Sequence, residues 1–154
     1  MSIEKEIHQT KFVSARQKAM INVLFTYGWI IEKIKNFLSK EDITHQQFNI
    51  LRILRGSNKP LSTLQIRERM LDKMSDTSRI VERLQKKALV EKKTCPTDKR
   101  LVDVVISKKG LALLDKLDKR NGELDSMLHN LSSEEARTLN QLIDKMRDTP
   151  RQTL

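Results

Sequence analysis

Cysteine, proline and glycine are all scarce in this chain of 154 residues. A single cysteine, Cys95, excludes an intrachain disulfide and fits a reducing compartment. Four glycines and three prolines exclude collagen-like and linker-like designs. No run approaches the roughly eighteen apolar residues that a membrane span needs, and the polar start is unlike the core of a secretory signal. The sequence therefore predicts a soluble, cytoplasmic protein with no membrane partner.

Basic residues are abundant and unevenly placed. The chain has 30 Lys and Arg against 20 Asp and Glu, and 38% of its residues are hydrophobic, enough for a folded core. Residues 75–109 carry ten basic and five acidic side chains, whereas residues 110–154 carry seven and eight. Because a local excess of positive charge attracts polyanions, the middle of the chain is the candidate for contact with a nucleic acid.

Hydrophobic periodicity predicts a mainly helical protein. Apolar residues recur at helical spacing over 14–38. Capping-box spacings at Thr44 and Ser62 predict that two further helices begin there. A fourth helix is predicted over 75–88, separated from the third by a short break. The last two of these helices follow each other closely, which is typical of a helix-turn-helix.

Two short strands are predicted after these helices. Residues 90–95 are a short candidate, and residues 101–106 are a better one because they are rich in β-branched side chains. A polar turn joins the two strands to make a hairpin with a charged tip. A long helix is predicted over 107–131, with leucines at heptad spacing. A capping box at Ser132 predicts the start of a final helix.

The order of these elements predicts a mainly α, winged helix-turn-helix fold of three helices plus a two-stranded β wing. The long helices near both ends have more apolar surface than such a module needs, so we predict that they pair with a second copy. The predicted organisation is an N-terminal dimerisation region at 1–42, a winged helix-turn-helix DNA-binding domain at 43–109 and C-terminal dimerisation helices at 110–154.

The predicted helix 75–88 has two chemically different faces. One face is apolar and should pack into the module, and it comprises Thr77, Val81, Leu84 and Ala88. The opposite face carries a charged stripe of Asp76, Arg79, Arg83 and Lys86. The major groove of DNA admits one helix, and an arginine there can donate two hydrogen bonds to guanine. Short polar residues at the helix start, Ser75 and Ser78, can approach bases or phosphates. A solvated helix whose arginines pair with nearby carboxylates explains the pattern equally well.

The tip of the predicted hairpin supplies a second basic element. Lys99 and Arg100 project there on two strands, and a narrow minor groove attracts an inserted arginine. Asp98 beside them would repel phosphate, so we interpret it as a clamp that stabilises the wing by accepting hydrogen bonds from turn amides or from Arg100. An ordinary turn aspartate is the alternative.

The span 43–114 resembles the MarR family of winged-helix transcription regulators. The resemblance rests on four pieces in the same order, which are 78–84 (SRIVERL), 87–92 (KALVEK), the wing at 98–100 (DKR) and the exit at 104–110 (VVISKKG). It implies a homodimer that binds pseudo-palindromic operators in double-stranded DNA. It also implies a regulator that usually represses transcription and is often released by a small-molecule effector or by oxidation.

The resemblance assigns roles by position. The residues that match the base- and phosphate-contacting stretch of the family are Ser75, Asp76, Ser78 and Arg79. Asp98 and Arg100 match the wing pair. Ala88 stands where the family usually has glycine, so the end of this helix is expected to be right-handed. Asp76 replaces a residue that is usually uncharged, and it is expected to repel phosphate or to read cytosine.

Four side chains are candidates for a ligand pocket where the dimer helices meet the winged domain, the usual place in this family. They are Tyr27, Trp29, His45 and Phe48. Core aromatics are the alternative interpretation. Cys95 lies next to the wing and suggests a redox-sensing regulator as a further alternative, although the chain has no second cysteine to resolve a sulfenic acid.

The sequence contains no motif for catalysis or metal binding. The three histidines, His8, His45 and His129, are far apart and form no ligand pattern with Cys95. No glycine-rich phosphate loop or paired-carboxylate signature occurs either. We therefore predict no enzyme activity, no metal site and no cofactor. The rival to an operator-binding regulator is a winged-helix module that binds a partner protein or RNA without operator specificity.

Overall fold

The computed structural model describes residues 2–94 and 102–148. Its helices and strands, in chain order, are α1 (Ile3–Glu6), α2 (Ala15–Leu38), α3 (His45–Arg55), β1 (Leu61–Ser62), α4 (Thr63–Arg69), α5 (Thr77–Lys86), β2 (Val90–Thr94), β3 (Val102–Ile106), α6 (Lys108–Asp118), α7 (Asn121–Asp125) and α8 (Ser133–Arg147). Short 3-10 helices lie at Ser39–Glu41 and Ser126–Leu128. The predicted mainly α, winged helix-turn-helix fold is confirmed.

Helix starts follow the capping signals in the sequence. Capping boxes form at Thr44, Ser62 and Ser132, where the hydroxyl accepts a hydrogen bond from the N–H three residues on and that residue's side chain accepts one in return. Ser14 and Ser107 cap α2 and α6 through their hydroxyls. Because each of these bonds satisfies a backbone N–H that has no partner within the helix, the predicted starts are confirmed.

The wing is part of a small antiparallel sheet with the strand order β1-β3-β2. Val104 in β3 pairs with Lys92 on one side and with Leu61 on the other. The hairpin of β2 and β3 agrees with the prediction. The third strand, β1, was not predicted, because two residues are too short to show an alternating pattern.

The core of the winged region lies where α3 packs against α5, α6 and β3. Its fully buried side chains come from every element of the module and are Leu38, Ile50, Leu51, Leu61, Ile66, Met70, Val81, Leu84, Val90, Val104, Leu114 and Leu117. Burying each such side chain stabilises the fold by about 1.5–3 kcal/mol. The guanidinium of Arg55 also donates two hydrogen bonds, of 2.5 and 3.2 Å, to the carboxylate of Asp118, which joins α3 to the end of α6.

Helix α6 ends at Asp118, so the single long helix predicted over 107–131 is wrong. Leu114 and Leu117, which the heptad pattern placed on a seam with later leucines, are fully buried in the core of the winged region. The chain forms two compact units, the first ending at Arg120 and the second starting at Asn121. The domain limits of 1–42, 43–109 and 110–154 stay a prediction.

Ala88 has left-handed backbone geometry, with φ at 57°, so the predicted right-handed end of this helix is wrong. The N–H of Leu89 donates to the carbonyl of Leu84 at 3.0 Å, and the N–H of Ala88 donates to that of Gln85 at 2.9 Å. These two bonds make a Schellman motif. Ala88 is exposed rather than packed as predicted, because the reversal turns the chain out of the helix and into β2.

Replacing Ala88 with glycine should raise the free energy of unfolding by about 1 kcal/mol. An L-residue in the left-handed region costs roughly 1–2 kcal/mol, and part of that gain is offset by the larger entropy of glycine in the unfolded chain. Urea denaturation measures the change. Ala112→Gly, in the exposed middle of α6, is the control, and its free energy of unfolding should fall by about 1 kcal/mol. Equal losses at both positions would show that Ala88 is not strained.

Candidate nucleic-acid interface

The two predicted faces of α5 are largely confirmed. Thr77, Val81 and Leu84 are buried and hold α5 against α3 and α4. The side chains on the opposite face are exposed, and they are Asp76, Arg79, Arg83 and Lys86. The helix therefore presents its charged stripe to solvent from a firmly packed position.

Asp76 caps the start of α5. Its Oδ1 accepts a hydrogen bond of 3.2 Å from the backbone N–H of Arg79, and its Oδ2 lies 3.2 Å from the Nε of the same residue. In the unbound chain Arg79 thus pairs with a carboxylate, yet its side chain remains 79% exposed. The structure gives Asp76 a capping role, and the predictions that it repels phosphate or reads cytosine stay predictions.

Arg83 and Lys86 differ from Arg79 because no acidic side chain pairs with them in the part of the chain that the structure describes. Both line a cavity of about 510 Å³ between the start of α3 and the second half of α5. Lys87 also lines it, but its ammonium lies 3.0 Å from the carboxylate of Asp42. Arg83 and Lys86 therefore supply unpaired positive charge along one edge of α5.

Ser75 and Ser78 have different surroundings. The hydroxyl of Ser75 donates a hydrogen bond of 2.6 Å to Oδ2 of Asp72, and the N–H of Met74 donates one of 3.1 Å to Oδ1. These bonds lower the pKa of Asp72, so its carboxylate stays charged and holds the turn before α5. Ser78 is exposed in the first turn of α5. Ser75 therefore stabilises the turn before α5, whereas the side chain of Ser78 is accessible to a partner.

The wing is described up to Thr94 and again from Val102. Cys95, Asp98, Lys99 and Arg100 lie outside the described residues, so their roles stay predictions. The two described strands pair in register from Val90 with Ile106 to Thr94 with Val102.

The sequence did not predict the packed junction between the end of α5 and the start of α6. The hydroxyl of Ser107 donates to the carbonyl of Ala88 at 2.8 Å, and the backbone N–H of Ser107 donates to that of Leu89 at 3.1 Å. Gly110 packs so closely that a Cβ atom there would lie 2.3 Å from the oxygen of Leu89. The sequence predicted a helix start at residue 107, but the bonds from Ser107 to Ala88 and Leu89 had no signal in the sequence.

The four predicted ligand residues have unlike environments. Phe48 is buried with its ring centroid 6.4 Å from that of Phe37, as the core interpretation predicts. Trp29 and Tyr27 are exposed on α2, where the ammonium of Lys33 lies 5.7 Å from the Trp29 ring centroid. His45 is half-buried at the start of α3. A shared pocket for these four side chains stays a prediction.

His45 should make the fold less stable in mild acid. Burial lowers the pKa of His45 from its ordinary value of 6.5, with a further lowering by the charge of Lys35. Below about pH 6.5 the unfolded chain therefore binds a proton more readily than the folded one, and stability falls as the pH falls. Denaturant melts from pH 7 to pH 5 should show this slope, and it should flatten in His45→Gln. The exposed control His129→Gln should retain it, and a slope unchanged in His45→Gln would contradict the prediction.

Residues 2–94 and 102–148 offer no cluster for metal binding and no helix for crossing a membrane. No three His, Cys, Asp or Glu side chains converge there to hold a metal ion. No helix within those ranges combines the length and hydropathy required to cross a bilayer. The expectation that the protein has no cofactor and no catalytic activity stays a prediction.

A basic helix exposed after a short turn from another helix, followed by an antiparallel hairpin, defines a winged helix-turn-helix protein. The MarR family profile matches residues 41–101 of this chain. This match covers the winged helix-turn-helix region, and it confirms the resemblance to MarR-family winged-helix transcription regulators that was seen in the sequence.

Similar proteins extend this resemblance over most of the chain. The chain is 27% identical over 131 residues to the HTH-type transcriptional regulator MhqR of Bacillus subtilis, covering 84% of this chain and 89% of that protein. A MarR transcription factor from Planctomyces limnophilus has a TM-score of 0.66 at 29% identity, covering 87% of this chain and 98% of that one. A mutant MarR from E. coli, complexed with operator DNA, shares the fold with a TM-score of 0.74 at 24% identity, covering 96% and 100%.

Proposed function

We propose that this chain forms a homodimer in the cytoplasm that binds a pseudo-palindromic DNA operator and represses transcription. The observation that carries the proposal is the exposed basic stripe of α5, held by a buried apolar face in a winged helix-turn-helix. Such a helix has the size and the charge to enter the major groove, and the wing would reach the neighbouring minor groove.

The structure supports a division of labour along α5. Arg79 lies in the first turn, which is the part of a recognition helix that contacts base edges. Arg83 and Lys86 lie one and two turns further on, where unpaired positive charge suits phosphates. Ser78 lies beside Arg79 and offers a hydroxyl to a base or a phosphate. On this proposal Lys99 and Arg100 contact DNA through the wing.

Exposed apolar side chains on the terminal helices support the homodimer. Leu24 in α2 is 63% exposed, and Met20 and Val23 near it are exposed as well. Helix α8 has no buried residue, although Leu142 and Met146 lie on it. Because apolar faces of this kind are normally covered, we infer that a second copy covers them. Two winged regions would then meet half-sites about one helical turn, or roughly ten base pairs, apart.

A small-molecule effector is the third part of the proposal. Tyr27, Trp29, His45 and Phe48 remain the candidates to bind it, and binding would release the operator. Three of them are exposed or half-buried and so are open to a ligand, whereas Phe48 belongs to the core.

Selection of bound duplexes from random DNA, together with a measurement of mass in solution, tests the proposal. We expect a two-fold symmetric motif and a particle of twice the 18.0 kDa chain mass. A particle of 18.0 kDa with no preference among duplexes would contradict it. Binding that is insensitive to DNA sequence in a salt titration would favour the rival, a module for RNA or a partner protein.

A further inference from the structure

We propose that Leu64 and Met74 form an apolar contact for thymine methyl groups beside α5, and so help to determine which operator is bound. The inference rests on the proposed function, because it needs α5 in the major groove. It adds two residues that neither the charge pattern nor the family resemblance singled out.

Both side chains are large and apolar, yet they are mostly exposed to solvent. Met74 is 94% exposed and Leu64 is 64% exposed. Single exposed apolar residues are common on proteins, but Leu64 in α4 and Met74 in the turn before α5 line the same recess. The recess has a volume of about 440 Å³, and its other lining residues are Thr63, Arg67, Ser75, Asp76, Thr77 and Ser78.

Both side chains stand on backbone that is held in place by hydrogen bonds. Leu64 lies in the first turn of α4, which is fixed by the capping box at Ser62 and by the buried Ile66. The N–H of Met74 donates a hydrogen bond of 3.1 Å to Asp72. The apolar groups are therefore already exposed on backbone with defined positions.

The charge around the recess favours DNA as the partner. Arg67 lines it, and Asp76, the acidic residue that also lines it, is already paired with Arg79 at 3.2 Å. A protein partner on an apolar patch favours surroundings depleted of charge, whereas DNA favours cations. Thymine presents the apolar group of the major groove, its 5-methyl, next to the base edges that the start of a recognition helix contacts.

Substituting deoxyuridine for thymine tests the inference, because the two bases differ by this methyl group alone. Each thymine of the selected operator is replaced in turn, and the affinity is measured by fluorescence anisotropy. For the wild type we expect a loss of about fourfold at one or two positions, as for burial of one methyl group. The Met74→Ala and Leu64→Ala variants should bind the natural operator more weakly than the wild type does. Replacing thymine with deoxyuridine should then lower their affinity little further.

Leu71→Ala is the matched control, since Leu71 is exposed in the same turn but does not line the recess. This variant should keep the wild-type loss with deoxyuridine. If every variant and the wild type lose affinity equally at each position, the inference is overturned while operator binding stands. If the wild type binds selected and random duplexes equally, the proposed function fails and this inference fails with it.

Discussion

Replacing Arg79 with alanine is expected to weaken binding to the selected operator by about 1–3 kcal/mol, roughly 5- to 150-fold, and to relax the preference at one base pair. The guanidinium lies in the first turn of α5 and is exposed, so it can donate two hydrogen bonds to the O6 and N7 atoms of a guanine. Anisotropy titrations against operators with single base changes measure both effects.

The ion pair with Asp76 does not prevent this role. Both side chains are exposed, and an exposed pair of this kind is worth at most about 1 kcal/mol. A bidentate contact with guanine is worth more, so Arg79 should exchange one partner for the other when DNA binds. The cap is retained in that exchange, because Oδ1 of Asp76 still accepts from the backbone of Arg79.

Two further variants separate base reading from general attraction. Arg100→Ala, at the wing, should weaken binding to all sequences similarly and flatten the dependence on salt. Arg137→Ala removes the same charge from the exposed surface of α8 and should leave the sequence preference unchanged. Equal, sequence-independent losses for Arg79→Ala and Arg100→Ala would contradict the proposal that Arg79 contacts base edges while Arg100 adds affinity for any sequence.

Replacing Gly110 with alanine is expected to lower the free energy of unfolding by about 3 kcal/mol, at the upper end for one added methyl group. The new Cβ would lie 2.3 Å from the carbonyl oxygen of Leu89 and 2.8 Å from Cγ1 of Ile106. The backbone at Leu89 cannot retreat without losing its hydrogen bond from Ser107. Urea denaturation measures the loss, and weaker operator binding should accompany it because the junction supports α5.

Gly122→Ala is the control for this substitution. Gly122 lies in α7, and a Cβ atom there would meet nothing within 4 Å. The free energy of unfolding of the Gly122→Ala protein should be unchanged or higher by up to about 1 kcal/mol, since alanine favours a helix more than glycine does. A Gly110→Ala protein as stable as Gly122→Ala would show that the junction is looser than the structure indicates.

Local signals in the sequence were sufficient to predict most of the helices and the apolar and charged faces of α5. The caps at Thr44, Ser62 and Ser132 and the two faces of α5 involve residues three or four positions apart, so a short stretch of chain encodes them completely. The predicted recognition helix, the hairpin and the family resemblance follow from such stretches. The roles of the DNA-contacting residues are a further step, which the proposed experiments test.

Tertiary structure decided the features that depend on distant residues. The burial of Leu114 and Leu117 against α3 ended the apparent heptad seam, and the path of the chain into β2 forced Ala88 into the left-handed region. The close approach of Gly110 to Leu89 and the shared recess of Leu64 and Met74 arise in the same way. Periodicity reports which side chains share a face, but what covers that face is settled by contacts between elements far apart in the chain.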